Sequence, residues 1–327
     1  IRRVMPTVIA NELVGVQPMT GPVGQIHTLR VRYADATTGG ATNIATGDEA
    51  LSPFKIAASY SGNDSDPAKG SATATLEGAA GNKLNVQILK QVVEAKSRKL
   101  SARWTFEAAQ DAQAQQGIDI EAEIMAALAQ EITAEIDQEI LTSLRSLAGT
   151  AAGAFDQSAV SGTATFVGDE HAALAVLINE QANLIAQRTR RGAGNYAVVS
   201  SEALTILQSA TTSAFARSTE GVFEAPTNTK FVGTLNNSMR VYVDGYAASG
   251  TDVLVGYKGS SEADAPAFYC PYIPLMSSGV VLDPSTFEPV VSFLTRYGYV
   301  ELSNTASSLG NAADYLARIS VSNISFK

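Results

Sequence analysis

The stretch DIEAEIMAALAQEITAEIDQEILTSLRSL, residues 119–147, decides the fold. Large aliphatic residues recur at every fourth position, and neither proline nor glycine interrupts them. This period, with Ala, Glu, Gln and Met between the repeats, predicts one helix capped by Asp119. At about 1.5 Å per residue it is roughly 45 Å long, more than twice the usual length. The repeated residues are Ile120, Ile124, Leu128, Ile132, Ile136, Ile140 and Leu144.

The apolar stripe of this helix should wind around its axis. A repeat of four residues advances about 40° per step beyond one turn of 3.6 residues. Different partners must therefore cover the stripe along its length. The pattern predicts a single long helix that packs across a sheet. It disfavours a coiled coil, in which apolar residues repeat every 3.5 residues.

The composition indicates a globular protein of 327 residues, long enough for two or three domains, with 45% hydrophobic and 17% charged residues. The single cysteine, Cys270, excludes an internal disulfide and suits a reducing compartment. The net charge of −9 argues against a free-standing nucleic-acid binder. It does not exclude a basic patch on one face of the protein. No apolar run reaches the ~20 residues of a membrane span.

Two segments before the long helix cannot fold alone. Residues 1–26 combine a short apolar run with Pro6, Pro18 and Pro22, and they predict an extended arm. Residues 34–84 are dominated by small and polar residues, so they are either disordered or a projecting hairpin. We favour the hairpin because a few strand anchors remain. These anchors are Phe54, Ile56, Tyr60 and Leu76.

The second half of the chain alternates between helical and strand patterns. Residues 148–168 are rich in Gly, Ala, Ser and Thr, which predicts a flexible linker between domains. Residues 169–191 form an amphipathic helix, and the strands and helix that follow predict a compact mixed α/β domain over 168–260. The strands of the tail, residues 265–327, are expected to return to the first half for their partners.

A search for catalytic and ligand-binding chemistry finds no candidate site. His27 lies in a strand pattern and His171 begins a helix, so ordinary surface or capping histidines are favoured over a catalytic triad. Cys270 lies between aromatic residues and prolines and reads as a small buried hydrophobe. The helix carboxylates lack the histidines of a di-iron site, and no phosphate-binding or zinc motif is present. The sequence therefore predicts no enzyme, no cofactor and no metal.

Charge is distributed unevenly around the long helix. Its charged side chains are nearly all acidic, whereas those of the preceding residues 90–103 are mostly basic. Either the two stretches pair, within one copy or between copies, or both are solvated faces. Candidate inter-subunit residues are Glu131, Glu135, Lys96, Arg98, Lys99 and Phe54. Candidate DNA-facing residues are Arg188, Arg190 and Arg191, at the end of the helix at 169–191.

Five long segments, spread along the chain, resemble the major capsid proteins of T-even-type tailed phages. They cover about a third of the residues, and each is too long and distinctive to be a chance motif. The segments are RRVMPTVIANELVGVQPMTGPVG (2–24), VEAKSRKLSARWTFEAAQDAQAQQGIDIEAEI (93–124), EITAEIDQEIL (131–141), VGYKGSSEADAPAFYCPYIPL (255–275) and FLTRYGYV (293–300).

The resemblance implies an α+β protein with the HK97-like capsid fold. Residues 1–30 would be the N-arm and 31–90 the E-loop, which lies over a neighbouring subunit. Residues 91–167 would form the P-domain around the spine helix 119–147, and 168–260 the A-domain. Residues 261–327 would return to the P-domain and the C-terminus.

The resemblance also implies function and partners. Family members form hexameric capsomers in an icosahedral or elongated head around double-stranded DNA, bound without sequence specificity. They assemble in the host cytoplasm with vertex, portal and decoration proteins. A prohead protease trims their N-terminal segment, and a chain starting at Ile1 agrees with such a cut or with missing residues.

One departure from the family and several alternatives remain. T-even relatives carry an insertion domain in the E-loop, and residues 34–84 are too short to hold one. A pentameric vertex paralogue would share these features. An encapsulin-type nanocompartment would share the fold but enclose cargo enzymes, and a tail or fibre protein would form rings or trimers.

Overall fold

The computed structural model describes residues 9–37, 44–50, 59–62, 70–160, 167–210, 215–217, 230–236, 238–302 and 311–324. Its α-helices are α1 (Ala10–Leu13), α2 (Thr73–Leu76), α3 (Phe106–Gln116), α4 (Ile120–Leu147), α5 (Gln157–Val160), α6 (Val167–Thr189) and α7 (Ser201–Ser209). Short 3-10 turns lie at Ser59–Ser61 and Ala312–Tyr315. The strands are β1 (Gly15–Val16), β2 (Val23–Tyr33), β3 (Leu84–Glu94), β4 (Lys96–Arg103), β5 (Gly153–Asp156), β6 (Tyr196–Ser200), β7 (Phe215–Arg217), β8 (Lys230–Leu235), β9 (Met239–Asp244), β10 (Val253–Gly256), β11 (Ala267–Ser277), β12 (Val281–Leu282), β13 (Pro289–Glu301) and β14 (Leu316–Ser322).

Helix α4 is the predicted long helix. The Asp119 side chain accepts a hydrogen bond from the Glu121 amide at 3.0 Å and caps its first turn. The repeated aliphatic residues are buried from Leu128 to Leu144, whereas Ile120 and Ile124 are only partly covered. The buried stripe packs against strands of two different sheets. The structure therefore confirms a single helix whose stripe needs several partners.

The seven-stranded sheet has the strand order β5-β14-β10-β6-β9-β8-β7. Its central strand, β6, is buried at every residue because both faces of the sheet are covered. Ala197 and Val199 point into the core shared with α6 and α7. Tyr196 and Val198 point into the core shared with α4. The long helix and the α6–α7 pair thus enclose this sheet between two layers.

The sequence did not predict β5, and it placed the partners of β14 only in the first half of the chain. The predicted flexible linker contains β5, which pairs in parallel with β14. Strand β14 also pairs with β10, so the end of the tail completes the sheet of the compact domain. Strand pairing between distant segments depends on the assembled core, which local composition does not report. The domain boundaries themselves stay a prediction.

The five-stranded sheet follows the order β1-β11-β13-β12, and β4 also pairs with β13. The β4–β13 pairing joins the tail to the first half, as expected for this strand. The arm contributes β1, which pairs in parallel with β11, and Ile9, Leu13 and Val14 are buried in the α4 core. The described part of the arm therefore lies on its own chain, while residues 1–8 lie outside the described part.

Strands β2 and β3 form a separate two-stranded antiparallel sheet, which we call the ribbon. The pairing runs from Val23↔Glu94 at its base to Tyr33↔Leu84 at its far end. The predicted hairpin, residues 34–84, connects the two strands of the ribbon. Two of its proposed strand anchors do not lie in strands, because Tyr60 is in a 3-10 turn and Leu76 is in α2. Phe54 and Ile56, the other two proposed anchors, lie outside the described residues. Across the described ranges, no helix is both long and apolar enough to cross a membrane.

Candidate subunit-interface surfaces

The two faces of the ribbon differ in polarity. Residues opposite each other in antiparallel strands share a face, so the register Leu29↔Ile88 and Val31↔Val86 defines one of them. We call it the apolar face. The intervening positions of β3, Asn85, Gln87 and Gln91, belong to the opposite face. Alternation in β3 separates aliphatic from polar side chains over residues 84–88. Nearer the base the separation is incomplete, because Lys90 lies on the apolar face and Leu89 on the opposite one.

The apolar face is open to solvent. Leu29, Val86 and Ile88 are 66%, 65% and 66% exposed. This clustering is unusual, because exposed apolar residues in monomeric proteins are mostly scattered singly. The other large aliphatic residues exposed on this face are Val23, Leu84 and Val92.

Each end of the ribbon is fixed to its own chain. At the base, Ile26 and Val93 pack against Phe268 and Cys270. Gly298 permits this approach, since a Cβ there would lie 2.5 Å from a Val93 methyl group. Farther out, Arg30 pairs with Glu49 at 3.1 Å. The ribbon is therefore held in a defined position. Its apolar face is exposed at Leu29, Val86 and Ile88, whereas Val31 and Tyr33 at the far end pack into a small cluster with residues of the following segment.

A second exposed apolar surface lies at one end of the five-stranded sheet. Phe287 is 70% exposed, and its ring lies 5.6 Å from that of Phe106, at the start of α3. Further exposed residues of this end are Leu275, Met276, Val280, Val281 and Leu282. Such a concentration is typical of a protein contact surface.

The predicted charge pairing is centred on Arg98 of β4. Its guanidinium donates to Glu135 at 2.7 Å and to Glu139 at 2.5 Å, both on α4. It also donates to the Tyr297 hydroxyl at 2.6 Å, and Tyr297 donates to Glu139. Three elements, β4, α4 and β13, therefore meet in one hydrogen-bonded network.

This network shifts the pKa values of its members. Burial by itself raises the pKa of Glu139, but hydrogen bonds from Arg98 and Tyr297 outweigh it and leave the pKa below its ordinary value. Burial and the bond to Glu139 raise the pKa of Tyr297. For Arg98, burial lowers the pKa, yet the bonds to Glu139 and Tyr297 raise it overall. All three keep the protonation states that hold the network at neutral pH.

The candidate inter-subunit residues fall into different environments. Arg98 and Glu135 engage each other within one chain. Glu131, Lys96 and Lys99 are exposed, and Lys96 acts on Glu139 electrostatically. Phe54 lies outside the described residues. A role for these residues between copies stays a prediction.

The three candidate DNA-facing arginines lie at the end of α6. Arg188 is partly buried, whereas Arg190 and Arg191 are exposed. Arg191 pairs with Asp264 at 2.7 Å, which partly neutralises it. The DNA-facing role of the three arginines stays a prediction.

Sequence reasoning missed the ion pair that joins α4 to the seven-stranded sheet. Arg145 donates from two nitrogens to Asp244 at 3.1 Å. Gln138 and the Tyr246 amide donate to the other carboxylate oxygen at 2.9 and 3.1 Å. The Asp244 side chain is completely buried. The sequence offered one indication of this ion pair: Arg145 is the only basic residue of a helix whose other charged residues are acidic.

No described part of the chain gathers three or more His, Cys, Asp or Glu residues into a metal-binding group. Cys270 is buried and unbonded as expected, and burial raises the pKa of its thiol. His171 differs from the expected surface or capping role, because it is buried between α6 and α7 and contacts Ser209. His171 is shielded from solvent because α6 packs against α7, and such packing between distant segments cannot be predicted from the local sequence.

Comparisons with known proteins agree with this architecture. The profile of the major capsid protein Gp23 family matches residues 1–321. The major capsid protein of Vibrio phage KVP40 is 33% identical, over 97% of this chain and 78% of that protein. That of Enterobacteria phage T4 is 31% identical, over 91% of this chain and 73% of that protein.

The fold is also that of solved phage capsids. The capsid of Myoviridae Phage XM1 superposes with a TM-score of 0.53 and 11% identity, over 98% of this chain and 94% of that one. This likeness confirms the HK97-like α+β fold. The matching family is a structural family of virion shell proteins rather than an enzyme family. The chain belongs to the Gp23 family of major capsid proteins, which form the head shell of tailed phages.

Proposed function

We propose that copies of this chain form hexameric capsomers of an icosahedral or elongated head shell around double-stranded DNA. In this arrangement, the apolar face of each ribbon lies on a neighbouring copy. The observation that carries the proposal is the exposure of Leu29, Val86 and Ile88 on one face of a fixed ribbon.

The energetics favour a protein partner for this face. Covering one aliphatic side chain contributes about 1.5–3 kcal/mol, and a two-stranded ribbon alone is marginally stable in water. Each subunit in a closed ring both gives and receives such a contact. Contacts that are modest individually therefore stabilise the shell through repetition.

The same assembly would bring the chain into contact with other phage proteins and with the packaged DNA. The shell would form in the host cytoplasm with vertex, portal and decoration proteins, and a prohead protease would remove the N-terminal segment of the precursor during maturation. Glu131, Lys96 and Lys99 would contact neighbouring copies, and Arg188 and Arg190 would approach the packaged DNA without sequence specificity. Exposed pairs contribute only ~0–1 kcal/mol each, so these contacts adjust the assembly rather than drive it.

Neighbouring residues of β3 offer a matched test. Ile88→Lys places a charge on the apolar face, whereas Gln87→Lys places the same charge on the opposite face, and both positions are exposed. We expect Ile88→Lys to leave a folded chain that fails to form closed shells, and Gln87→Lys to assemble normally. Electron microscopy of negatively stained particles and sedimentation would measure assembly. Equal assembly of the two variants would refute the proposed contact.

The copy number in purified particles separates the capsomer from the vertex paralogue. Quantitative mass spectrometry should find this chain as the most abundant shell protein. A small fixed number of copies beside a more abundant related chain would assign it to the vertices instead.

A further inference from the structure

A buried polar pair joins α6 to the end of α7. His171 is 2% exposed, and its Nδ1 lies 2.5 Å from the Oγ of Ser209, the last residue of α7. The surrounding core is aliphatic, with Leu174, Ile178 and Ile206 fully buried. This contact is therefore a specific polar link within an otherwise apolar helix interface.

The hydrogen-bond pattern identifies the protonated nitrogen of the imidazole. The Ser209 hydroxyl donates to the Ile206 carbonyl at 3.1 Å, so it can only accept from His171. Nδ1 consequently carries the hydrogen, and Nε2 carries a lone pair. Nε2 is buried and has no hydrogen-bond partner among the described residues.

Glu170 is the charged group that acts on this imidazole. The charged residues on described elements packed against α6 are bound elsewhere. Glu202 of α7 binds Ser249 and Gly250, and Arg318 of β14 pairs with Asp252 at 2.7 Å. Asp156 of β5 binds Ser158 and Asn323, and Asp314 caps Asn311. Among the described residues, none lies within hydrogen-bond distance of Nε2 to accept an added proton.

We propose that His171 is a pH-sensitive latch, which holds the end of α7 when neutral and releases it when protonated. Protonation would place a charge without a hydrogen-bond acceptor inside a packed helix interface, a costly arrangement. This latch operates within one chain and does not depend on the proposed assembly.

The direction of the pH effect follows from linkage. Burial lowers the pKa of His171, and this effect outweighs the opposing influence of Glu170. The unfolded side chain, with an ordinary pKa near ~6.5, therefore binds a proton more readily than the folded one. Stability is complete above that value and falls as the pH drops from it towards the folded pKa.

Hydrogen exchange measured by mass spectrometry tests the latch in the purified full-length protein. After correction for the intrinsic exchange rate, we expect the amides of α7 to lose protection several-fold between pH 7.5 and pH 5.5. The amides of β4 and β13 should not follow. Unchanged protection of α7 would overturn the proposal by itself.

Two substitutions separate the latch from general acid sensitivity. His171→Asn keeps an N–H donor for Ser209 but cannot titrate, so the pH dependence of α7 should disappear, and His171→Gln is a second non-titrating variant. His27→Asn removes the exposed histidine of the ribbon and should retain the wild-type response. A pH-dependent loss that persists in the His171 variants would show that another group controls α7.

Discussion

Strands β6 and β3 are both rich in aliphatic residues, yet one is completely buried and the other is largely exposed. The chain itself covers β6 from both faces, with α4 on one side and α6 and α7 on the other. Within the described residues, no comparable layer covers the exposed part of the apolar side of β3. The difference separates the part of the molecule that stabilises the folded chain from the part available for other copies.

Removing the Asp244 carboxylate should give the largest effect, because it breaks the junction between α4 and the buried sheet. Asp244→Ala removes the buried partner of Arg145, whose side chain is partly buried, and breaking a buried ion pair in this way costs about 3–5 kcal/mol. Urea unfolding of unassembled subunits, followed by circular dichroism, measures this loss. Asp244→Asn keeps the acceptor for Gln138 and should lose less. A loss below ~1 kcal/mol for the alanine variant would mean that the junction does not hold the sheet.

Two leucines give a direct comparison between the buried sheet and the ribbon. Leu254 of β10 is fully buried, whereas Leu29 of β2 is mostly exposed. Leu254→Ala should lower the free energy of unfolding by about 2–5 kcal/mol, because it leaves a cavity. Leu29→Ala should change it by less than about 0.5 kcal/mol and instead weaken assembly.

The same urea titration, paired with sedimentation of assembled particles, measures both quantities for both variants. If Leu29→Ala destabilised the isolated chain as much as Leu254→Ala, the ribbon would belong to the core of the subunit. If Leu29→Ala left both stability and assembly unchanged, the apolar face would have no role in the shell.

The long helix could be predicted closely because its signals are local. The four-residue aliphatic repeat and the Asp119 cap predicted residues 119–147, and α4 spans Ile120–Leu147. Helix caps and periodicity depend on neighbours within one or two turns. The local signals could not predict which part of the stripe is buried. Ile120 and Ile124 fit the repeat as well as the later residues do, yet they are only partly covered.

Strand partners were harder to predict because they join distant segments. Strand β14 pairs with β10 and β5, and nothing in its own sequence distinguishes these neighbours from β4. The burial of His171 has the same origin, since it arises where two helices pack. Nonlocal geometry decides both features.

The sequence predicted the region of the candidate interface but not the residues that form it. The polar composition of residues 34–84 indicated a projecting hairpin, but the exposed aliphatic residues lie on the strands that carry it. Alternation in β3 shows which residues share a face, but only the fold shows that Val86 and Ile88 are exposed to solvent. Similarly, the opposite charges predicted pairing with α4, but the crossing of β4 over the helix selects Glu135 and Glu139 rather than Glu131.

The smallest predicted effect compares two arginines of β4. Arg98 bonds three side chains, whereas Arg103 has one long contact with Glu288 at 3.6 Å. Both carboxylates bound by Arg98 are more than a third exposed, so Arg98→Gln should cost only about 1 kcal/mol after screening. Arg103→Gln should stay within about 0.5 kcal/mol of the wild type.

The pH dependence of this difference tests its electrostatic origin. The pKa of Glu139 is lowered in the folded chain, so its stabilisation is present above the unfolded pKa of about 4.3 and is lost as the pH falls through the folded value. Urea unfolding at pH 7 should separate Arg98→Gln from the wild type, and the separation should shrink below about pH 4. A constant separation across this range would mean that Arg98 stabilises β4 by packing its aliphatic stem. The contact between sheet and spine helix would then be apolar like the rest of the core, and the charge pattern would matter only at the surface between copies.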